Sequence, residues 1–471
     1  MEQYSYDLVV IGAGSGGFAA ARTAAELGAK VALVDRGPLG GLCILRGCMP
    51  SKAFIASSDA RHAVCESKHL GVITDVPTTN MRFIQRRKKA LVHEFASYRI
   101  EGIHRHALHE GPARFLSETE LAVGDNLTLT AKNFIIATGS EVSPPFIPGL
   151  LETGFLDSDA VLELEEIPAS VAVLGGGYTA CELGQFLSRM GAATTFFIRS
   201  GHLLTSADDD IGDALTGYFR QEGMDVITHA KVLRVERRGA KKAILYAIGE
   251  EQHELVVDEI FHALGRRPNV AGLDLARANV AYDENVGITV DSSLRTSNPR
   301  IFAVGDVMGE FLLVHVAIYQ GEIAARNALR AAHEQADYHL ISSHTVFCDP
   351  QIGIAGATEK ELQRNGVPYV RGFYEFKEHG KAMCLGRTQG FVKILAAASD
   401  GRILGAAVIG PEGSELIHEM IVAMNFGATA EQFARIPHLH PTLSEIWTYP
   451  AEECAEKISV LRSAAVTHVA G

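Results

Sequence analysis

The chain has 471 residues, 47% hydrophobic and 21% charged, which is ordinary globular usage and excludes a disordered or fibrous protein. Forty-three basic residues against 56 acidic ones leave a net charge of −13, which argues against general nucleic-acid binding and fits a cytoplasmic enzyme. Glycine is in excess, 46 residues with no collagen-like period, so it must serve tight turns and close backbone approaches, as in nucleotide-binding α/β proteins.

The N-terminus, MEQYSYDLVVIGAG, runs straight into an expected strand at Tyr6–Ile11, with no targeting segment. No apolar run reaches the roughly 18 residues a membrane span needs. The turn GAGSGG, a helix to about Leu27 and a strand in GAKVALVD make a βαβ unit. A helix is expected from Asn80 to about Arg105, with Arg86, Arg87, Lys88 and Lys89 as a solvated face rather than an anion site. Strand-like sequence follows from Ala113 to Phe134 and ends in IIATGS; the loop Ser143–Gly149 marks a boundary. A second βαβ unit begins at Pro168. It repeats the first, since Gly12 to Gly28 and Gly175 to Gly191 both span 16 residues. A short buried strand is expected before Asp306, then a helix over Val316–His333. After about Ser342 the pattern turns α+β, with strands near Tyr369–Glu375, Phe391–Ala396 and Leu404–Ile409.

Gly12, Gly14 and Gly17 lie between a strand and a helix, with Asp35 closing the next strand. That context suits a dinucleotide: a tight turn, close approach of a pyrophosphate to the helix N-terminus, and an acid for the adenosine ribose. The second unit carries Gly175, Gly177 and then Ala180. Where Asp35 stands in the first unit, the second has Ile198 followed by Arg199. A guanidinium there favours a 2′-phosphate, so the site leans to NADPH, with His202 nearby as a second donor. An exposed arginine over an NAD site of relaxed specificity is the other reading.

The seven cysteines are odd in number and thinly spread, which does not suit a secreted disulfide scaffold. Cys43 and Cys48 alone are close. A disulfide needs Cα atoms within about 7 Å. Residues five apart lie roughly 8–9 Å apart in a helix and more than about 15 Å apart in extended chain. The pair can therefore close only in a distorted helical turn, for which Gly47 supplies freedom, while Pro50 suits the first turn of a following helix. A thiolate near that helix start would be activated by the dipole. Zinc lacks the further ligands it would need, and two structural cysteines remain the plain alternative.

The segment GGLCILRGCMPSK resembles the active-site segment of the class I pyridine nucleotide–disulfide oxidoreductases, which include lipoamide dehydrogenases, glutathione reductases and mercuric reductases. GAGSGG, IATGS, GGGYTACE, ALGRRPN, RTSNPRIFAVGD, FCDPQIG and HLHPTLSE follow in the family's order. The resemblance implies an α/β fold with two Rossmann-like domains, for FAD and NAD(P)H, and a C-terminal α+β dimerisation domain. The expected segments are 1–149 (FAD, first part), 150–270 (NAD(P)), 271–341 (FAD, second part) and 342–471 (dimerisation). It implies that Lys52 sits near the flavin, paired with Glu182. Asp306, Gly305, Thr138, Gly139 and Gly41 would join the FAD site, Tyr178 would gate the nicotinamide pocket, and Gly265 falls in a cofactor motif. Cys48 becomes the flavin-side sulfur and Cys43 the one that exchanges with substrate. His440 and Glu445 become a proton-transferring dyad offered across a homodimer interface. His438 and Trp447 are read as structural.

Several positions depart from the family's pattern. Leu42 replaces a threonine and Cys348 another, the latter read as a core residue. HPTLSE and PSK match lipoamide dehydrogenases, whereas Ala180, Ile198 and Arg199 match NADPH-using members. Tyr98–Ile103 and Arg199–Gly212 look more like mercuric reductases, but the chain shows no metal-binding N-terminal domain and ends SAAVTHVAG with no cysteine pair. The expected activity is dihydrolipoamide dehydrogenase-like, on a small disulfide or dithiol. The alternatives are an NADPH-dependent reductase of another disulfide or a metal ion, and a non-catalytic flavoprotein. No nucleic-acid or membrane partner is expected.

Overall fold

A computed structural model of the chain describes residues 4–329 and 334–469, with side chains through Ala464. The chain forms two compact units: Met1–Phe54, Arg82–Pro144 and Gly265–Ile341 make the first, and Ile55–Met81, Pro145–Leu264 and Ser342–Gly471 the second.

In the first unit the apolar run of Tyr6–Ile11 is buried, as a central parallel strand requires. It lies between Val31–Asp35 and Leu127–Ile136, in register Leu8 with Val31 and Val9 with Phe134. Ala107–Glu110 extends one edge, and Ile301–Ala303 pairs with the far side of Leu127–Ile136. The stretch expected as strand from Ala113 resolves into an antiparallel meander, Ala113–Phe115, Glu120–Val123 and the start of Leu127–Ile136. Helix Ser15–Glu26 packs on helix Val314–Leu329 so closely that a methyl on Gly321 would meet the Gly16 carbonyl oxygen at 2.2 Å. The last residues of the helix expected over Val316–His333 lie outside the described ones.

The long helix Met81–Ile103 departs in one respect from expectation. Arg86, Arg87 and Lys89 are exposed, but Lys88 is buried with its ammonium 5.5 Å from the Phe54 ring. The basic run is thus three solvated residues and one whose stem packs inward.

The second unit carries the repeated nucleotide-binding pattern. Ser170–Leu174 pairs in parallel with Ala193–Phe197 and with Glu259–His262, and Asp225–Ile227 adds an edge. A three-stranded antiparallel sheet, Ala230–Arg238, Lys241–Ile248 and Glu251–Val257, follows. The C-terminal part is an antiparallel five-stranded sheet in the order His344–Val346, Gln351–Gly356, Ile403–Gly410, Phe391–Ala397, Tyr369–Glu375. Its first two strands go beyond the sequence expectation, the first being three residues long and the second carrying two glycines. Trp447 is fully buried and donates to the Leu416 carbonyl at 3.1 Å, and Cys348 is buried, both as expected for packing residues. Among the described residues no helix is long and apolar enough to cross a membrane.

Candidate functional site

The first glycine turn is built by close backbone approach. Gly12 has φ +103°, and a methyl there would lie 2.3 Å from the Ala137 carbonyl oxygen. A methyl on Gly17 would lie 1.8 Å from the Gly12 carbonyl oxygen, so helix and strand touch where the third glycine stands. Gly14 caps the helix, and Gly41 packs on it from the cysteine segment. Asp35 accepts from the Ala13 N–H through Oδ2 and from the Gly37 N–H through Oδ1, both at 2.7 Å. A carboxylate has about four acceptor sites, so capacity for a ribose hydroxyl remains.

Cys43 lies in the short helix Leu42–Arg46, and Cys48 opens the helix Cys48–Glu66. Gly47 breaks the helical path between them at φ −130°, ψ −116°, the distorted turn that the spacing demands. The two side chains are in contact, Cys43 half-buried and Cys48 exposed. The hydrogen bond to Cys48, and then burial, push the Cys43 thiol above its ordinary range: once one sulfur is a thiolate, the other keeps its proton. Arg99 acts in the opposite sense. Its guanidinium lies 4.7 Å from the Phe18 ring, with Nη1 buried and without a hydrogen-bond partner among the described residues.

A cavity of about 450 Å³ joins these parts within the first unit, lined by Gly12, Gly14, Asp35, Gly41, both cysteines, Thr138, Gly139, Gly305 and Asp306. Ser140 donates to Asp306 at 2.6 Å, and Arg266 donates to Ser140 at 2.9 Å. Burial pushes the Asp306 carboxyl above its usual value, against the pull of Ser140 and Arg266. The Thr138 hydroxyl donates to the Asn269 carbonyl at 2.7 Å, so what Thr138 offers the cavity is backbone. The glycine cradle, the acid at the strand end and the cavity reaching the thiols fit a dinucleotide carrying a redox group. Gly265 lies just before the strand Arg266–Pro268, and Lys52 lies half-buried in the helix that Cys48 opens.

In the second unit Gly175 repeats the tight turn: a methyl there would meet the Ala263 carbonyl oxygen at 2.5 Å. In front of Gly177 there is open space, and helix Tyr178–Arg189 follows with Ala180 and Glu182 buried. Glu182 accepts from the Phe347 N–H at 3.1 Å. The Tyr178 hydroxyl lies 2.9 Å from His344 Nε2 and 3.2 Å from Ser206 Oγ. Ile198 is buried, and Arg199 is exposed without a hydrogen bond or ion pair among the described residues. His202 is not free beside it: Nδ1 meets the Leu203 carbonyl at 2.7 Å and Nε2 meets Asp209 at 3.0 Å.

Near the C-terminus, His440 Nδ1 lies 2.9 Å from Glu445 Oε2. The His440 side chain is 79% exposed while Glu445 is 12% exposed. His438 Nε2 is held by Glu419 at 2.7 Å, consistent with a structural role. Sequence reasoning missed three residues that touch expected site residues: Ser140 on Asp306, His344 on Tyr178, and His379, whose Nε2 lies 3.4 Å from Glu445 Oε1. Ser140 sits inside IATGS and could have been read from it; the two histidines fall in no motif.

Comparison with known proteins adds the following. The family described as pyridine nucleotide-disulphide oxidoreductase matches residues 6–321, and its dimerisation domain matches residues 342–451. The chain is 34% identical to dihydrolipoyl dehydrogenase of Chlamydia pneumoniae, over 94% of this chain and 95% of the relative. It is 31% identical to mercuric reductase of Bacillus cereus, over 94% of this chain and 70% of the relative. Among solved structures, the HOCl-induced flavoprotein disulfide reductase RclA from Escherichia coli superposes with TM-score 0.84 at 26% identity, over 95% of this chain and 99% of that one.

Proposed function

We propose a specific activity for this chain, which belongs to the pyridine nucleotide-disulphide oxidoreductase family and is an enzyme of that family: the reversible transfer of two electrons between NAD(P)H and a small disulfide, dihydrolipoamide dehydrogenase-like. FAD and a pyridine nucleotide are the cofactors expected of the family. The observation that carries the reading is the oriented and exposed His440. Half-buried Glu445 takes one ring nitrogen, which fixes the tautomer and leaves Nε2 facing outward, as a base offered to another molecule must be. Its place in the segment matched by the dimerisation domain supports a homodimer in which that molecule is a second copy.

FAD, when bound on the first glycine turn, supplies the two-electron link between the nicotinamide and the cysteine pair. The remaining steps belong to the chain. His440 takes the Cys43 proton, and the thiolate so formed attacks one sulfur of the substrate disulfide; a mixed disulfide forms, and the leaving thiolate takes that proton back from the His440 imidazolium. The Cys48 thiolate then attacks Cys43, releasing the second substrate thiolate and closing the Cys43–Cys48 disulfide. Asp35 and the Gly12, Gly14 and Gly17 turn hold the adenosine end of FAD. Gly41, Thr138, Gly139, Gly305 and Asp306 would take the rest of it, with Lys52 beside the flavin. Gly175, Gly177, Tyr178 and Ala180 take the nicotinamide nucleotide, with Gly265 between the two cofactor segments. We place the protein in the reducing cytoplasm, where its free cysteines would persist. The test crosses NADH and NADPH with lipoamide, glutathione disulfide and mercuric ion. Lipoamide turnover supports the proposal, and its absence with both nucleotides refutes it.

The exposed, unpaired Arg199 favours a second reading: an NADPH-dependent reductase of another disulfide or of a metal ion. In the same panel it requires a strong preference for NADPH together with turnover of glutathione disulfide or mercuric ion.

A further inference from the structure

We propose that His379 is a positioning residue for the His440–Glu445 pair, a buried imidazole that keeps the Glu445 carboxylate turned toward His440. This rests on the reading of that pair as the proton-transfer dyad. His379 is fully buried, on the strand side of the short helix Gly380–Leu385. Its Nδ1 faces the Ala382 N–H at 3.4 Å and caps that helix. An N–H is a donor, so Nδ1 carries a lone pair, and by this assignment the proton of the neutral ring sits on Nε2. Nε2 is buried without an aligned hydrogen-bond partner among the described residues and lies 3.4 Å from Glu445 Oε1, within ion-pair distance, while the other carboxylate oxygen lies 2.9 Å from His440 Nδ1. One carboxylate is thus flanked by two imidazoles, one sealed in the fold and one open to solvent.

Few other groups face His379. The edge of the Tyr449 ring lies 6.4 Å away between centroids, Phe376 lies at the same distance, and Tyr374 stacks on Tyr449. The charges it feels are those of Glu445 and His440. Burial pushes its proton affinity down, outweighing the pull of Glu445, so it stays a neutral donor while His440 gains and loses its proton. A carboxylate rotates about its last bond. With Oε1 facing a fixed N–H, Oε2 remains on His440 and supports its imidazolium; without that N–H the carboxylate can turn away.

Two substitutions separate this role from the helix cap. His379→Asn keeps an acceptor where Nδ1 caps Ala382 but has nothing that reaches Glu445. His379→Gln places an amide N–H near the position of Nε2 but gives up the cap. The measurements are the His440 titration, by NMR of histidine-labelled holoenzyme with His440→Gln as the assignment control, and the pH profile of disulfide turnover. His379→Asn is expected to lower His440 proton affinity and turnover each about three- to tenfold, the range of one hydrogen bond. His379→Gln should keep both within about twofold while melting at lower temperature. An unchanged titration in His379→Asn, or equal losses in the two variants, overturns the proposal and leaves the dyad standing. Undiminished turnover in His440→Gln overturns the dyad, and this proposal with it.

Discussion

Lys393 Nζ lies 2.8 Å from Asp208 Oδ2, with the two side chains only 1% and 6% exposed. The same ammonium reaches Asp210 at 2.8 Å and Glu359 at 3.2 Å. These three carboxylates could face a metal ion, but Lys393 already supplies the cation. Burial would raise the Asp208 carboxyl, yet Lys393 and two backbone N–H donors outweigh it and hold the group low. Asp349 behaves likewise: Arg189 at 2.8 Å overcomes its burial. Both contribute stability in full above the unfolded carboxylate value of about 3.9 and lose it as pH falls through their depressed native values. Lys393 has the opposite sign. The carboxylates outweigh its burial and raise it, so its contribution is present below about 10.4 and lost as pH rises through the native value. Melting temperature should therefore plateau near neutrality and fall toward both extremes. Lys393→Met should cost about 3–5 kcal/mol by leaving buried Asp208 without its cation, although Asp210 and Glu359 still face Arg371. An acid limb unchanged in that variant would refute the account.

The first and second glycines of a nucleotide turn should respond differently to one methyl group, as Gly12 and Gly177 show. Gly12→Ala drives its Cβ to 2.3 Å from backbone oxygen at a left-handed φ, so loss of folded protein or of bound flavin is expected. Gly177 has φ −82° and open space before it. Gly177→Ala should fold normally and lose only nucleotide affinity, because the methyl stands where phosphates approach. Thermal melting and nucleotide titration of both variants check this. Equal stability losses would mean that the space before Gly177 is not open.

Asp35 ties the strand end to the glycine turn through the Ala13 N–H and to the loop that follows through the Gly37 N–H. Hydrogen bonds to a charged group are worth about 1.5–3 kcal/mol. Asp35→Ala should therefore weaken flavin retention by about tenfold or more. The ratio of absorbance at the flavin band to that at the protein band, followed through dialysis, reports it. Full retention in the variant would remove Asp35 from the site.

How much of this was legible in the sequence depended on whether the physics was local. The Gly12 turn, the break at Gly47 and the Asp35 position follow from steric rules that act within one βαβ unit, and spacing reveals them. The His440–Glu445 contact is five residues long and travels inside a motif. His379 approaches Glu445 from 66 residues away, from the cap of the helix Gly380–Leu385, and His344 reaches Tyr178 across 166. Such pairings exist only after the sheets form, and a lone histidine gives no sign of them. Lys88 shows the same limit in reverse, since a run of four basic residues reads as solvent-facing until Phe54 is seen beneath one of them.

The proposed lean to NADPH rests on Arg199, whose surroundings the structure describes. Ile198 is sealed in the core, so the side chain that faces outward at the end of the strand is the guanidinium. His202, the other expected donor, is engaged by Asp209 and the Leu203 carbonyl, which leaves Arg199 to meet a 2′-phosphate without it. A single exposed charged hydrogen-bonding pair gives discrimination of about tenfold rather than thousands. Arg199→Glu should raise KM for NADPH by about that factor or more, through lost attraction and new repulsion, and leave KM for NADH within about twofold. Steady-state kinetics with each nucleotide at fixed disulfide decides the matter. If both KM values move together, Arg199 acts on the shared part of the two nucleotides and the preference for NADPH lies elsewhere.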